Sequence, residues 1–351
     1  MRVLVTGGAG FIGSNFVHHL LREYPAYECV VLDKLTYAGN LENLADLERL
    51  PNYRFVRGDI CDARAAAEAI HGADAVVHFA AETHVDRSIV EAGAFVETDV
   101  FGTFVLLEAA RKARVQRFVH ISTDEVYGDC GERPSREDDP LMPRSPYAAS
   151  KAGADRLAFS YFCTYKLPVV ITRCTNNYGP YQHPEKLVPL FTTNALENRK
   201  LPVYGHGRNT RDWIYVEDHC RALDLVLHAG GVEGEVFNVG AGEERSVLEI
   251  AALILRLLGK PEDLIQHVSD RLGHVRRHAV EAGKIRERLG WAPRESFASA
   301  MQRTIQWYLS NRGWWTRIRA GEYLDYYQRT YGCPDARQAA CQGSGTAGPL
   351  S

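Results

Sequence analysis

Tyr147 and Lys151 stand four residues apart, just after Ser145-Pro146, a pair that announces the start of a helix. Residues at that spacing share a helix face, so the lysine ammonium can lie beside the phenol and lower its pKa. A tyrosine so tuned can take the proton of a sugar hydroxyl at neutral pH while hydride leaves the same carbon. Lys151 can also bond the ribose of a nicotinamide. An isolated pair of this kind is more often a surface tyrosine near a solvated lysine; its surroundings in this chain favour chemistry.

Thr123-Asp124-Glu125 directly follows an apolar run that reads as a strand over residues 117–122. In doubly wound folds the carboxyl ends of strands carry the ligand-facing residues. Two adjacent carboxyl groups do not both ionise cheaply, so one pKa rises and its owner can serve as an acid. A sugar C–H bond becomes acidic once the neighbouring alcohol is a ketone. Oxidation at carbon 4 would therefore let Glu125 take the carbon-5 proton while Asp124 protonates the hydroxyl leaving carbon 6, with hydride returning to carbon 6. Thr123 would hold the carbon-4 oxygen. By itself the triplet is equally well a helix cap or a solvated loop; the nearby tyrosine–lysine pair tips the reading toward elimination of water.

A hydride needs a carrier. Gly7, Gly10 and Gly13 sit between a first strand, expected over residues 2–6, and a helix expected over 11–24. Such glycines permit the tight turn, the approach of backbone to a pyrophosphate, and close helix–strand packing, while the helix N-terminus offers free N–H groups. Asp33 ends the second strand at about the 20-residue distance expected of the ribose-binding carboxylate. Its charge favours NAD over NADP, although Lys34 beside it could meet a 2′-phosphate. Asp59-Ile60 after the third strand could frame the adenine, and the small residues Ala80 and Ala81 after Phe79 let backbone approach the middle of the cofactor.

The elements needed to position these groups alternate strand and helix through the first half, which predicts an α/β fold with a Rossmann-type doubly wound parallel sheet. Strands are expected over 29–32, 53–57, 75–79, 117–122 and 168–172, and helices over 63–71, 97–113 and 146–165. After Asn177 the alternation fades into longer loops, read as a smaller C-terminal substrate-binding lobe over the C-terminal edge of the sheet. Val236–Val239 is expected as a late strand within that lobe, with helices over 246–258 and 301–311. The dinucleotide domain is assigned to 1–178 with a returning stretch near 212–240, the nucleotide-sugar lobe mainly to 179–330, and 331–351 to a disordered tail.

Length and charge exclude several classes. The chain has 351 residues and a formal net charge of −3, without the basic footprint that non-specific nucleic-acid binding needs. No apolar run reaches the length of a membrane span. The first strand leads straight into the glycine turn, unlike a signal peptide. Eight scattered cysteines without metal spacing read as reduced thiols of a cytoplasmic protein, and no metal site is expected.

These motifs closely resemble the dTDP-glucose 4,6-dehydratase family of the extended short-chain dehydrogenase/reductase superfamily, from Met1 to about Asn311. The resemblance also rests on residues 32–41 (Leu32 to Leu41), 84–89, 176–181, Pro184-Glu185-Lys186-Leu187 and Arg211-Asp212-Trp213. It implies a tightly held, recycled NAD, a dTDP-sugar substrate, and a homodimer joined through the helices expected over 97–113 and 146–165. It implies catalytic roles for Thr123, Asp124, Glu125, Tyr147 and Lys151. Phe11, Ile12, Leu35, Thr36, Thr83, Thr98 and Asn176 would join the cofactor site. Asn177, Lys186, Leu187, Arg211, Asn238, Arg271 and His274 would surround the diphosphate and nucleoside, and Pro202, Val203 and Tyr204 the thymine. Thr83 replaces the family's usual serine beside the nicotinamide and the sugar, Leu272-Gly273-His274-Val275 replaces Pro-Gly-His-Asp, and His278 replaces a tyrosine. A UDP-sugar 4,6-dehydratase, a 4-epimerase, a decarboxylase and a non-catalytic NAD-binding regulator remain alternatives. Epimerase and decarboxylase need no acid over carbon 6, and a regulator needs no intact Tyr147–Lys151 pair.

Overall fold

The computed structural model describes residues 1–320, so the expected tail at 331–351 lies outside the described residues. Two compact units emerge. The first comprises Met1–Gln182, Asn209–Arg245 and Gly273–Thr304; the second comprises His183–Arg208, Ser246–Leu272 and the chain from Ile305 on.

The first unit is an α/β Rossmann-type fold. Its strands are β1 (Arg2–Thr6), β2 (Glu28–Asp33), β3 (Tyr53–Arg57), β4 (Ala75–His78), β5 (Arg117–Thr123), β6 (Val169–Cys174) and the seventh, Val236–Val239. They lie in the order seventh-β6-β5-β4-β1-β2-β3, every neighbouring pair parallel. A parallel sheet covered on both faces needs apolar residues on both, which is why its strands read as runs rather than alternations. Leu4, Val76, Phe118 and Ile171 pack on one side with Leu106 and Ala158, while Val5, Val77, Val119 and Val170 pack on the other with Phe16 and Leu223. The order reverses between β1 and β4, and the crevice at their carboxyl ends is where such sheets take ligands.

Three expectations are corrected here. Val236–Val239 is an edge strand of the main sheet, paired with β6 in the register Val236↔Ile171 to Val239↔Cys174, not a strand of the lobe. All four of its residues are buried, as a covered parallel strand requires. The single helix expected over 97–113 is a π-helical stretch, Val96–Gly102, that passes into an α-helix, Thr103–Ala113. A π turn takes one extra residue and is found most at functional sites; here it carries Asp99 into the interior, 1% exposed. The terminal helix begins at Phe297 rather than Met301.

Helices Leu187–Leu196, Val216–His228, Gly283–Leu289 and Arg312–Arg319 were not legible in the sequence. Leu187–Leu196 is buried at eight of its ten positions, so it has no polar face to reveal its period. In the second unit it packs on Val247–Leu258, beside a parallel pair formed by Leu201–Tyr204 and Ile265–Val268. Ser246 caps Val247–Leu258, its hydroxyl accepting from Glu249 N while the Glu249 carboxylate accepts from Ser246 N.

Candidate active site

The turn after β1 separates two kinds of glycine. Gly7 has φ +69°, and a Cβ there would meet the Ala80 backbone nitrogen at 2.5 Å; one on Gly13 would meet the Gly7 carbonyl oxygen at 2.3 Å. Packing within the protein dictates both. A Cβ on Gly10 would meet only that same oxygen within 4 Å, at 3.2 Å. Gly10 is the N-cap of the helix Phe11–Glu23 and supplies no side-chain cap, so the space above the helix N-terminus stays clear and its first N–H groups can serve an anion. This is a cradle of the kind a pyrophosphate fits.

Asp33 ends β2 and is 9% exposed. Burial raises its pKa, while hydrogen bonds from Leu35 N (2.8 Å) and Ala9 N (3.0 Å) work against that rise. A carboxylate accepts about four hydrogen bonds, which leaves capacity for ribose hydroxyls. Lys34, read as able to meet a 2′-phosphate, is paired with Asp59 at 2.7 Å. Its charge is thus partly neutralised, and the acidic character of Asp33 is left to discriminate against phosphate. Phe11, Ile12, Leu35, Ala80, Ala81, Thr83, Thr98 and Asn176 are half-buried and Thr36 is exposed. The Ile60 side chain is core, 4% exposed, and a Cβ on Gly102 would strike it at 2.6 Å, so only its backbone is available to an adenine. The residues present therefore fit NAD.

Thr123 is the last residue of β5, and the chain turns there into a single 3-10 turn, Asp124–Tyr127. The Thr123 hydroxyl accepts from Glu125 N at 3.2 Å and donates to Asp124 Oδ1 at 3.3 Å, so the cap role and the site role coexist. Asp124 is 3% exposed, and its Oδ2 has no hydrogen-bond partner among the described residues. Burial and then the neighbouring Glu125 hold its carboxyl well above the ordinary carboxylate range, with Arg211 opposing. Asp124 is thus biased toward its protonated form, with one oxygen unpartnered among the described residues, beside Glu125, which is only half-buried.

The helix Pro146–Tyr165 carries Tyr147 and Lys151, with Ser145 capping Ala148 N at 3.1 Å. Lys151 is 5% exposed and donates to the Ile121 carbonyl oxygen of β5 at 2.8 Å. Burial lowers its pKa and Asp99 partly restores it. Tyr147 departs from the sequence-based expectation: its phenol is held well above its usual pKa, by burial first and then by the charges of Glu125 and Asp99. Burial is the largest cause and the two carboxylate charges add to it, so the phenol is raised where the spacing predicted it lowered.

Asp99 escaped the sequence reading. It accepts from Ser150 Oγ at 2.6 Å and from Glu82 N at 2.8 Å, and burial pushes its pKa up to about 6. Ser150 also donates to the Tyr147 carbonyl oxygen at 2.8 Å. The signal was an acid on the apolar stripe of the segment, with Gly102, Thr103 and Leu106 all buried on the same face.

The expected nucleotide residues divide. Arg211 is 7% exposed in the first unit and donates to the carbonyl oxygens of Thr210 (2.8 Å) and Val275 (3.1 Å). His274 is half-buried there. Asn177 holds His219 Nδ1 at 2.9 Å and donates to Thr175 O at 3.0 Å, and Asn238 is fully buried with its amide engaged by Tyr127, Ser135 and Glu281. Both amides are therefore occupied within the fold. In the second unit Lys186 is the N-cap of Leu187–Leu196, and Lys186, Leu187, Tyr204 and Arg271 are half-buried. Pro202 is buried and the Val203 side chain is fully buried, as core in its strand. No cluster of three or more His, Cys, Asp or Glu able to hold a metal is found among the described residues.

A dinucleotide turn on a seven-stranded parallel sheet, joined to a Tyr147–Lys151 helix, defines the extended short-chain dehydrogenase/reductase class. Within it the chain belongs to the dTDP-glucose 4,6-dehydratase family: residues 4–304 match the profile described as GDP-mannose 4,6 dehydratase, and close relatives carry the narrower name. A dTDP-glucose 4,6-dehydratase of Streptomyces niveus is 54% identical over 324 residues, 91% of this chain and 96% of the relative. A crystal structure of a dTDP-glucose 4,6-dehydratase from Streptomyces venezuelae with NAD bound is 54% identical, with a TM-score of 0.89 over 91% of this chain and all of that one. A UDP-glucose 4-epimerase of Thermus thermophilus, also with NAD, shares the fold at 32% identity and a TM-score of 0.81, over 89% of this chain and all of that one.

Proposed function

We propose that this chain is an NAD-dependent hydro-lyase that converts dTDP-D-glucose to dTDP-4-keto-6-deoxy-D-glucose. Bound NAD supplies the hydride acceptor for carbon 4 and the hydride donor for carbon 6. Gly7, Gly10, Gly13 and Asp33 hold it. Tyr147, which must first give up its own phenolic proton, takes the carbon-4 hydroxyl proton as the phenolate, with Lys151 supplying the nearby positive charge, and Thr123 holds the carbon-4 oxygen. Glu125 takes the carbon-5 proton made acidic by the neighbouring carbonyl. Asp124 gives its proton to the hydroxyl leaving carbon 6, so that the C6–O bond breaks and water departs. Glu125 then returns a proton to carbon 5.

One observation carries this reading: a buried carboxyl held above the ordinary carboxylate range, one of its oxygens unpartnered among the described residues, directly beside a second carboxyl group at the end of β5. An epimerase moves hydride off and onto one carbon and needs no such acid. In the second unit, Lys186, at the N-terminus of a helix, and Arg271 suit a diphosphate; Tyr204 is the residue for the base. Asn177 and Asn238 are assigned to the scaffold instead.

The assembly we infer is a homodimer. Val96, Phe101 and Phe104 are 56%, 50% and 40% exposed along the stretch 96–113, and Tyr165 is 52% exposed at the end of the Tyr147–Lys151 helix. Large apolar groups so placed fit a second copy of the same surface. A nucleotide-sugar substrate and free cysteines at the six described positions fit a cytoplasmic enzyme.

The test is a panel of nucleotide sugars in deuterated water, read by mass spectrometry. dTDP-glucose should lose one water and gain one deuterium at carbon 5. Product of unchanged mass would indicate epimerisation, and dehydrated product without deuterium would remove Glu125 exchange from the mechanism.

A further inference from the structure

Elimination residues and oxidation residues sit on different elements, and a buried network joins the two. Tyr127 closes the turn that carries Asp124 and Glu125. Its hydroxyl donates to Asn238 Oδ1 at 2.8 Å and accepts from Arg173 Nη1 at 2.7 Å. Arg173, on β6 and 1% exposed, reaches the other way with two parallel bonds to Asp155, at 2.9 and 3.1 Å. Asp155 is fully buried on the helix of Tyr147 and Lys151, four residues beyond the lysine and so on its face.

A buried ion pair is weak evidence for stability, because desolvation offsets its attraction. It does fix geometry: a bidentate guanidinium–carboxylate pair tolerates little rotation. Every link lies in the first unit and is nearly solvent-free. We propose that Tyr127, through Arg173 and Asp155, is a positioning residue that sets the Asp124–Glu125 turn against the Tyr147–Lys151 helix, and so governs the elimination step more than the oxidation step. The asymmetry follows from which element loses its anchor. Without the Tyr127 hydroxyl, the turn loses its hydrogen bonds to Arg173 on β6 and to Asn238, keeping only the ring's contact with the guanidinium, 4.9 Å from its centroid. The helix keeps its Asp155–Arg173 pair.

This inference rests on the dehydratase reading above, and the experiment separates the two. Wild-type protein and Tyr127→Phe, both loaded with NAD, are mixed rapidly with dTDP-glucose while NADH absorbance and product are followed. In the variant, NADH should appear at nearly the wild-type rate while product formation slows by about tenfold or more, so that NADH-bound enzyme accumulates in the steady state. Asn238→Ala, which removes the acceptor together with the amide's own bonds to the Ser135 and Glu281 carbonyl oxygens but leaves the Tyr127–Arg173 bond, should shift the same balance to a smaller extent. Equal slowing of both steps, or no slowing, in a folded variant overturns the proposal. If neither variant folds, the network is a folding element and the proposal is likewise overturned. Wild-type protein that makes neither NADH nor dehydrated product would instead refute the dehydratase reading.

Discussion

Asp124 and Tyr147 are both pushed toward their neutral forms, and that places them differently in the cycle. On the mechanism proposed above, a protonated Asp124 is ready to act, since its task there is to give a proton. Turnover should therefore fall on the alkaline side as Asp124 ionises, at a pH above the ordinary carboxylate range. Asp124→Asn, nearly the same shape but no acid, should lower kcat by about 10²-fold or more and abolish that limb in a kcat–pH profile. Tyr147→Phe should lower turnover by a similar factor; near-normal rates would mean another base. Asp99 offers a prediction about stability. Its pKa of about 6 in the fold exceeds the ordinary 3.8, so folding binds a proton between those values. The fold is most stable with Asp99 protonated, loses stability as pH rises through that window, and bears the whole cost above about pH 6. Lys151, Glu82 and Tyr147 interact with it: burial lowers the pKa of the lysine and raises those of Glu82 and the phenol, while the Lys151 charge opposes the rise at Asp99. Relative to wild type, Asp99→Asn should gain about 3 kcal/mol between about pH 4 and about pH 7, measured by urea unfolding at each pH. A difference that stays constant with pH would mean that Asp99 is not the titrating group.

Elements explain which parts of this molecule the sequence makes legible. β1, β4, β5 and β6 are covered on both faces, and their β-branched runs announce it. The turn at Gly7 to Gly13 and the Tyr147–Lys151 spacing are local, so one glance along the chain finds them. Nothing local showed that Asn177 and Asn238 are engaged within the fold, because His219, which meets Asn177, and Tyr127, Ser135 and Glu281, which hold Asn238, lie far away in sequence. The same non-locality hid Asp99 and Arg173. The glycine turn also yields a test that separates fold from ligand. Gly13→Ala drives a Cβ into backbone at 2.3 Å, which no side-chain movement can relieve, so it should lower the melting temperature and NAD affinity together. Gly10→Ala meets one backbone oxygen at 3.2 Å and nothing else in the protein. Its melting temperature without NAD should stay close to wild type while the NAD dissociation constant, measured by calorimetry, rises about tenfold or more. A Gly10→Ala protein that binds NAD normally would move the pyrophosphate away from this turn.

At the scale of the whole molecule, four of the exposed large apolar residues gather on one pair of neighbouring elements. Val96, Phe101 and Phe104 project from one continuous helical stretch, Phe101 and Phe104 lie with ring centroids 6.0 Å apart, and Tyr165 ends the neighbouring helix, under Arg111 at 5.1 Å. Single exposed apolar side chains are ordinary on a protein surface, but a group of aromatics on paired helices is the mark of a covered face. The same two elements hold Asp99 on their inner side and Tyr147 and Lys151 near their start, so whatever packs on the outer face braces the segment that carries the redox chemistry. A net charge of −3 is small enough not to oppose pairing of two identical chains. On the homodimer proposed above, Phe101→Asp with Phe104→Asp should therefore convert the dimer to a monomer in analytical ultracentrifugation. Neither ring belongs to the inner face, so the monomer should fold, with its far-ultraviolet circular dichroism retained. Its turnover should nevertheless fall, because the π-helical stretch that presents Asp99 loses its outer support. Wild-type protein that sediments as a monomer at micromolar concentration would refute the dimer, and a monomeric variant with full turnover would show that the outer face and the active site are independent.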